Sequence, residues 1–363
     1  MVWVPRSCLR QWGEVFADIT GELIDAIKSS GPTRQQRIGT AARWYLGLPQ
    51  IFLRDPGRGG TRNAETIQLR LANFLEGNYA TLLNEWSAAK AKARKKAKPP
   101  KPDTKARLTD RCIKLFHQGF LSRGLRMITG NGRADADDPK IIQQMQEKHP
   151  VEHWPHASWP VGEEPDLASN IEAVVKDTRP LTGVGPRGLS AGPIKQLFTA
   201  HMSEKGAEAK QRLTELGQVY FSCAMPTWLR KALNGGLLTP LVKKPAPEGE
   251  TPDARPTNAR DIDVSIWLKT IQRKANAAAR AALEPQQLGV GVSGGCEIKV
   301  IGAKLKIEEA QRDGTHLVLV CLDLKNAHNE YCRAGAQAAL DEHGQQDDYL
   351  KHLAQAHRAR CLR

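Results

Sequence analysis

A carboxylate closes a continuous apolar run in this chain. Leu317-Val318-Leu319-Val320-Cys321-Leu322 leads directly into Asp323-Leu324-Lys325-Asn326-Ala327-His328-Asn329. The run follows an Asp313-Gly314 turn and suits a strand buried on both faces. An acid at the end of such a strand is costly to desolvate unless a cation or a hydrogen-bond cluster compensates it. Two roles fit Asp323. It can cap a helix beginning near Ala327, or it can bind Mg2+, because hard cations take carboxylate oxygens and share them with substrate phosphates.

Two basic stretches and a glycine-rich one lie upstream. Arg255 opens Arg255-Pro256-Thr257, and Lys243 and Lys244 end the β-prone stretch that begins at Leu237. Gln287 and Gly289 open a glycine-rich segment running to Gly295, which by itself reads as a loop.

Other constellations carry less. His352, His357 and Cys361, with Cys332 or His343, match no closed zinc spacing. The acidic stretches Asp135-Ala136-Asp137-Asp138 and Asp347-Asp348 read as loop or helix-surface acids. No Walker loop and no strand-linked G-x-G-x-x-G occurs.

The elements that must position these residues follow from periodicity. Leu9, Trp12, Val15, Phe16, Ile19, Leu23 and Ile27 predict a helix that Gly31-Pro32 stops. Ile67, Leu71, Phe74, Leu75, Leu82 and Trp86 predict more helix, so residues 1–89 read as a helical module with core tryptophans. Residues 90–107 hold nine basic residues and one acid, an alanine–lysine run ending in prolines, and read as a linker. Residues 108–180 form a helical, loop-rich lead-in, and 181–363 form the remaining region. Within it, Asp263 is the expected N-cap of a helix reaching Glu284-Pro285.

Bulk properties narrow the class. With 363 residues, net charge +14 and mean hydropathy −0.47, the chain is long enough for two domains and strongly basic. No apolar run nears the ~18 residues of a membrane span. The N-terminus lacks a secretory pattern, and the seven cysteines are scattered, which together favour an intracellular setting. Clustered lysines in the linker also suit a polyanion-binding arm or a nuclear-import signal.

Taken in order, Leu238–Lys244, Arg255-Pro256-Thr257, Gln287–Gly295 and Leu317–Asn329 resemble the front half of a reverse transcriptase of the non-LTR retrotransposon type. Val184-Gly185-Pro186-Arg187-Gly188-Leu189 looks like a segment that precedes the fingers in that family. The resemblance implies an α+β fold, mostly helical at the N-terminus, followed by an incomplete right-hand polymerase with fingers and a partial palm. It implies that Asp323 and the Leu324 carbonyl hold Mg2+ for two-metal nucleotidyl transfer, and that Arg255, helped by Lys243 or Lys244, grips the incoming deoxynucleoside triphosphate. Gln287 and Gly289 would lie near the template, and His328 under the sugar, where the family has Phe or Tyr. RNA template and DNA primer are the implied partners.

Only 40 residues follow Asp323, too few for the family's second catalytic motif, an aromatic-Ala-Asp-Asp turn. The expectation is a fragment inactive by itself, with the missing palm, thumb or endonuclease region on a longer product. The alternative is a non-catalytic basic nucleic-acid-binding protein that uses an arm of Lys90, Lys92, Arg94, Lys95, Lys96 and Lys98.

Overall fold

Apolar residues spaced three or four apart become helices in this chain, and glycine ends two of them, at Gly235 and Gly314. The computed structural model describes residues 3–54, 60–96, 105–117, 121–130, 132–148, 163–179, 182–198, 204–247, 249–285, 287–289, 292–320, 333–344 and 354. The described fold is α+β, mostly helical with one two-stranded antiparallel sheet. Two compact units form, neither continuous in sequence. One comprises Met1–Gly77, Glu152–Gly235 and Arg260–Arg363; the other comprises Asn78–Val151 and Gly236–Ala259. This grouping crosses the linear boundaries expected at residues 89, 107 and 180.

The larger unit begins with α1 (Leu9–Lys28), α2 (Arg34–Ile51) and α3 (Gly60–Leu75). Trp12, Val15, Phe16, Ile19, Leu23 and Ile27 are all buried along one side of α1. The helix ends at an extended Ser29, and Gly31, at φ +108°, takes the left-handed turn that precedes Pro32. The unit continues with α8 (Ala168–Asp177), α9 (Ala191–Gln196), α10 (Glu204–Phe221), α11 (Thr227–Asn234), α12 (Ile262–Leu283), α13 (Gly295–Asp313) and α14 (Arg333–Gly344). α1 packs chiefly against α10 and α2, so residues 1–77 share their core with a segment far along the chain. Trp12 Nε1 donates to the Pro193 carbonyl at 3.2 Å, tying α1 to α9.

α10 also supports α12. Trp267 is fully buried, and its Nε1 donates to the Leu213 carbonyl at 3.0 Å, which satisfies the one polar group the indole brings inside. Gly217 makes room for it: a Cβ there would lie 2.6 Å from the indole and 2.7 Å from Leu167.

The second unit holds α4 (Tyr79–Lys96), α5 (Lys105–His117), α6 (Leu121–Thr129), α7 (Pro139–Glu147) and the strands β1 (Gly236–Lys244) and β2 (Asp253–Arg260), the last residue of β2 belonging to the larger unit. α5 and α6 pair as a helical hairpin. Ile141 and Met145 of α7 pack with Ala254 of β2 and with Ala134. The free edge of β1 is partly covered, because Ala134 N–H donates to the Pro240 carbonyl and Val242 N–H to the Gly132 carbonyl, at 3.0 and 3.2 Å. A strand residue aims its N and C=O the same way, so the N–H that Pro240 lacks belongs to this edge and not to the β2 ladder.

The strand expected at 317–322 requires correction over residues 317–320, Cys321 and Leu322 lying outside the described residues. Residues 315–320 have no strand structure, and Leu317, Val318, Leu319 and Val320 are 48%, 83%, 65% and 71% exposed. A strand buried on both faces needs neighbours along its edges, and the strands among the described residues pair only with each other. α13 forms a regular helix, yet Ile298, Val300, Ile301, Leu305 and Ile307 all remain exposed.

Candidate functional site

The β1–β2 hairpin carries three of the expected nucleotide-binding residues, all in the second unit. Lys243 and Lys244 end β1, and Arg255 lies in β2; all three are exposed. Lys243 Nζ stands 4.0 Å from Asp253 Oδ2, which places the lysine end of β1 beside the start of β2. Lys148, just after α7, approaches the same carboxylate, its Nζ donating to Asp253 Oδ1 at 2.5 Å and to the Ala254 carbonyl at 2.6 Å. The Lys148 hydrogen bond holds the Asp253 carboxyl below its ordinary range, with the charges of Lys148, Lys243 and Lys244 adding to the effect. Asp253 and Arg255 are two residues apart, so they share one strand face. Lys148 and Lys243 approach the Asp253 carboxylate there, while Arg255 is exposed with no ion-pair partner among the described residues.

The remaining expected site residues are placed as follows. Asp323, Leu324 and His328 lie outside the described residues, as do Lys98 and the acidic pair Asp347-Asp348. Gln287 is exposed and accepts from the Gly289 N–H at 2.7 Å, a local turn in which a Cβ on Gly289 would sit 2.9 Å from that same Oε1. Within the expected arm, α4 extends through Arg94, Lys95 and Lys96. Lys90 and Lys92 are exposed there, and Lys90 Nζ sits 4.5 Å above the Trp86 ring. Asp138 caps α7 by accepting from Lys140 N–H, and Asp135 accepts from Asp137 N–H, so this acidic stretch serves a loop and a helix start.

A buried polar cluster, absent from the sequence reading, lies in the larger unit. The N-cap of α12 is Asp261 and not Asp263, which is instead in the first turn. Asp261 Oδ1 accepts from the Arg187 backbone N–H at 3.2 Å, and its Oδ2 accepts from Arg187 Nε at 2.8 Å. Arg187 Nη2 and the Tyr45 hydroxyl both donate to Asp263 Oδ2. The guanidinium carbon also stacks 4.9 Å from the Tyr45 ring centre. Both carboxylates and Tyr45 are 0% exposed, and Arg187 is 6% exposed.

Burial pulls the guanidinium toward neutrality, but Asp263, Tyr45 and Asp261 outweigh it, so Arg187 stays charged. Burial, and then the neighbouring Asp263 charge, push the Tyr45 hydroxyl well up, so it stays a donor. Burial likewise raises Asp261, against the pull of Arg187. Sealed from solvent, the cluster offers no surface to a substrate; it joins α2, the 184–190 loop and the start of α12. Ile38, Ala41, Ala42, Tyr45, Leu48 and Phe52 are buried at helical spacing, a signal in the sequence that marks Tyr45 as inward-facing.

No protein family, curated protein or solved structure matches this chain. Among the described residues, no three His, Cys, Asp or Glu side chains gather as metal ligands, and no helix is long and apolar enough to cross a membrane.

Proposed function

We propose that the β1–β2 hairpin is a triphosphate-gripping finger of an RNA-directed DNA polymerase of the non-LTR retrotransposon type, in a chain that does not extend primers alone. One observation carries the reading: Lys148 and Lys243 both approach the Asp253 carboxylate, and the exposed, unpaired Arg255 lies two residues on along the same strand, which leads directly into α12. The excess cations there suit a polyphosphate, and the free guanidinium of Arg255 is the group able to form two parallel bonds to one phosphate. The order of strand, R-P-T strand and long helix supports the same reading.

In this proposal Mg2+ would neutralise the triphosphate and activate a primer hydroxyl, held by Asp323 and the Leu324 carbonyl. The hairpin acts on phosphate charge separately. Lys243 and Lys244 attract the ligand, and Arg255 orients it. Nucleotidyl transfer also needs carboxylates from a second motif, and the carboxylates of Asp135 and Asp138 are committed to a loop and a helix cap.

Titration of a fluorescent deoxynucleoside triphosphate tests the grip. Arg255→Ala is expected to weaken binding about 10- to 100-fold, the worth of charge-assisted hydrogen bonds. Unchanged affinity would remove Arg255 from the site. With an RNA template, DNA primer and Mg2+, the chain alone is expected to give no extension, and any extension overturns the fragment proposal.

A further inference from the structure

A second polar surface lies in the larger unit, and none of the residues that line it was singled out by the sequence for nucleotide chemistry. α8 and α12 pack side by side and leave a cleft of about 310 Å³. Asp177 and Thr178 line it from the end of α8, and Lys269, Gln272, Arg273 and Asn276 line it from α12. The spacing of these four, at steps of three, one and three, places them on one helix face. Ile266, Trp267 and Ile271 take the buried side, so this stripe is what α12 presents outward.

Its chemistry is uniform. Lys269, Gln272 and Asn276 have no hydrogen-bond or ion-pair partner among the described residues, although each can donate. Arg273 Nη1 holds Asp177 Oδ2 at 2.8 Å in an exposed pair, a weak contact that a phosphate oxygen can displace. The C-terminal carbonyls of α8 would repel an anion, but Lys195 Nζ donates to the Lys176 and Thr178 carbonyls, both at 2.8 Å, and neutralises that helix end. Lys176 and Arg179 are exposed beside the cleft. Against these cations stands Asp177.

We propose that this α8–α12 cleft binds the sugar–phosphate backbone of a single nucleic-acid strand. Lys269 and Arg273 contact phosphates, and Gln272 and Asn276 hydrogen-bond sugar or base edges. From Lys269 to Asn276 the helix rises about 10 Å, at ~1.5 Å per residue. That reach gives Lys269 and Arg273 room to contact successive phosphates of one strand. Among the described residues no aromatic ring lines the cleft, so binding there does not depend on stacking. The inference goes beyond the hairpin reading and does not rest on it, since a non-catalytic protein would use the same surface.

Anisotropy titrations of the full chain with labelled single-stranded RNA and DNA oligonucleotides, across a salt series, test it. Lys269→Ala/Arg273→Ala is expected to weaken binding about 10-fold at moderate salt and to flatten the log–log salt slope by roughly 1.4, the value for two phosphate contacts on a single strand. Gln272→Ala/Asn276→Ala is expected to weaken binding several-fold with the slope unchanged. Arg10→Ala/Arg37→Ala removes equal charge from exposed positions on α1 and α2 and is the control, with far-UV circular dichroism checking each fold.

A loss equal to the control's, or wild-type binding by the Gln272/Asn276 variant, overturns the proposal. So does competition by polyglutamate as effective as that by unlabelled oligonucleotide, which would make the cleft a site for acidic peptides. Equal effects on RNA and DNA support backbone recognition; an effect on RNA alone adds a 2′-hydroxyl contact to it. Triphosphate binding through Arg255 is read in a separate titration, so either result can fail without the other.

Discussion

Arg187 holds Asp261 twice, its backbone amide donating to one carboxylate oxygen at 3.2 Å and its Nε to the other at 2.8 Å. The carboxylate that begins α12 is therefore committed to a loop 74 residues earlier in the chain. Asp263, one half-turn on, takes the same guanidinium and the Tyr45 hydroxyl. One cation thus serves two buried acids, and the arrangement depends on it.

Replacing that cation tests the dependence. Arg187→Met leaves two carboxylates buried without their counter-charge, and the expected cost is about 3–5 kcal/mol in urea-induced unfolding. Adding Asp261→Asn to the same chain should recover part of the loss, because one fewer charge is stranded. A cost below about 1 kcal/mol for Arg187→Met would show that the acids are stabilised in some other way.

Gly185 tests how closely the loop approaches α12. A Cβ there would lie 2.4 Å from the Asp261 nitrogen and 2.5 Å from the Arg260 carbonyl carbon, both backbone atoms with little room to yield. Gly185→Ala is expected to destabilise by about 1–3 kcal/mol. Thermal unfolding followed by tryptophan fluorescence measures it.

Acid should weaken the hairpin face. The folded-state pKa of Asp253 is depressed by Lys148, so its contribution is present above the ordinary aspartate value of about 3.9 and is lost as pH falls through the lower folded value. Lys148→Met removes the first cause of that depression. A carboxyl carbon-13 titration should then show the Asp253 midpoint moving up, and an unmoved midpoint would break the assigned contact.

Asp138 tests the reading of the acidic stretch as loop and cap. Its side chain accepts from Lys140 N–H at 2.8 Å, so Asp138→Ala should cost about 1 kcal/mol through the start of α7. Triphosphate and oligonucleotide affinities should not change.

Local pattern made much of this molecule legible. α1 ended where Gly31-Pro32 required, β1 formed over its β-prone residues, and α12 appeared within a few positions of its predicted extent. These outcomes depend on neighbours in sequence: side-chain periodicity, caps and the backbone freedom of glycine. The run at 317–320 shows the limit. Six apolar residues satisfy a strand template, yet a strand exists only when another strand supplies hydrogen bonds, and no described partner does.

The Arg187 cluster shows the same limit from the other side. Its members come from positions 45, 187, 261 and 263, and each read alone is a helix residue, a loop cation or a cap. Composition and spacing alone determined a basic chain, mostly helical, with an arginine and two lysines where phosphate chemistry would need them. The tertiary structure alone decided which of two nearby acids caps α12, which cations gather around Asp253, and which face of α12 looks outward. Those choices rest on desolvation and on distances between residues scores of positions apart, and both quantities exist only once the chain has packed.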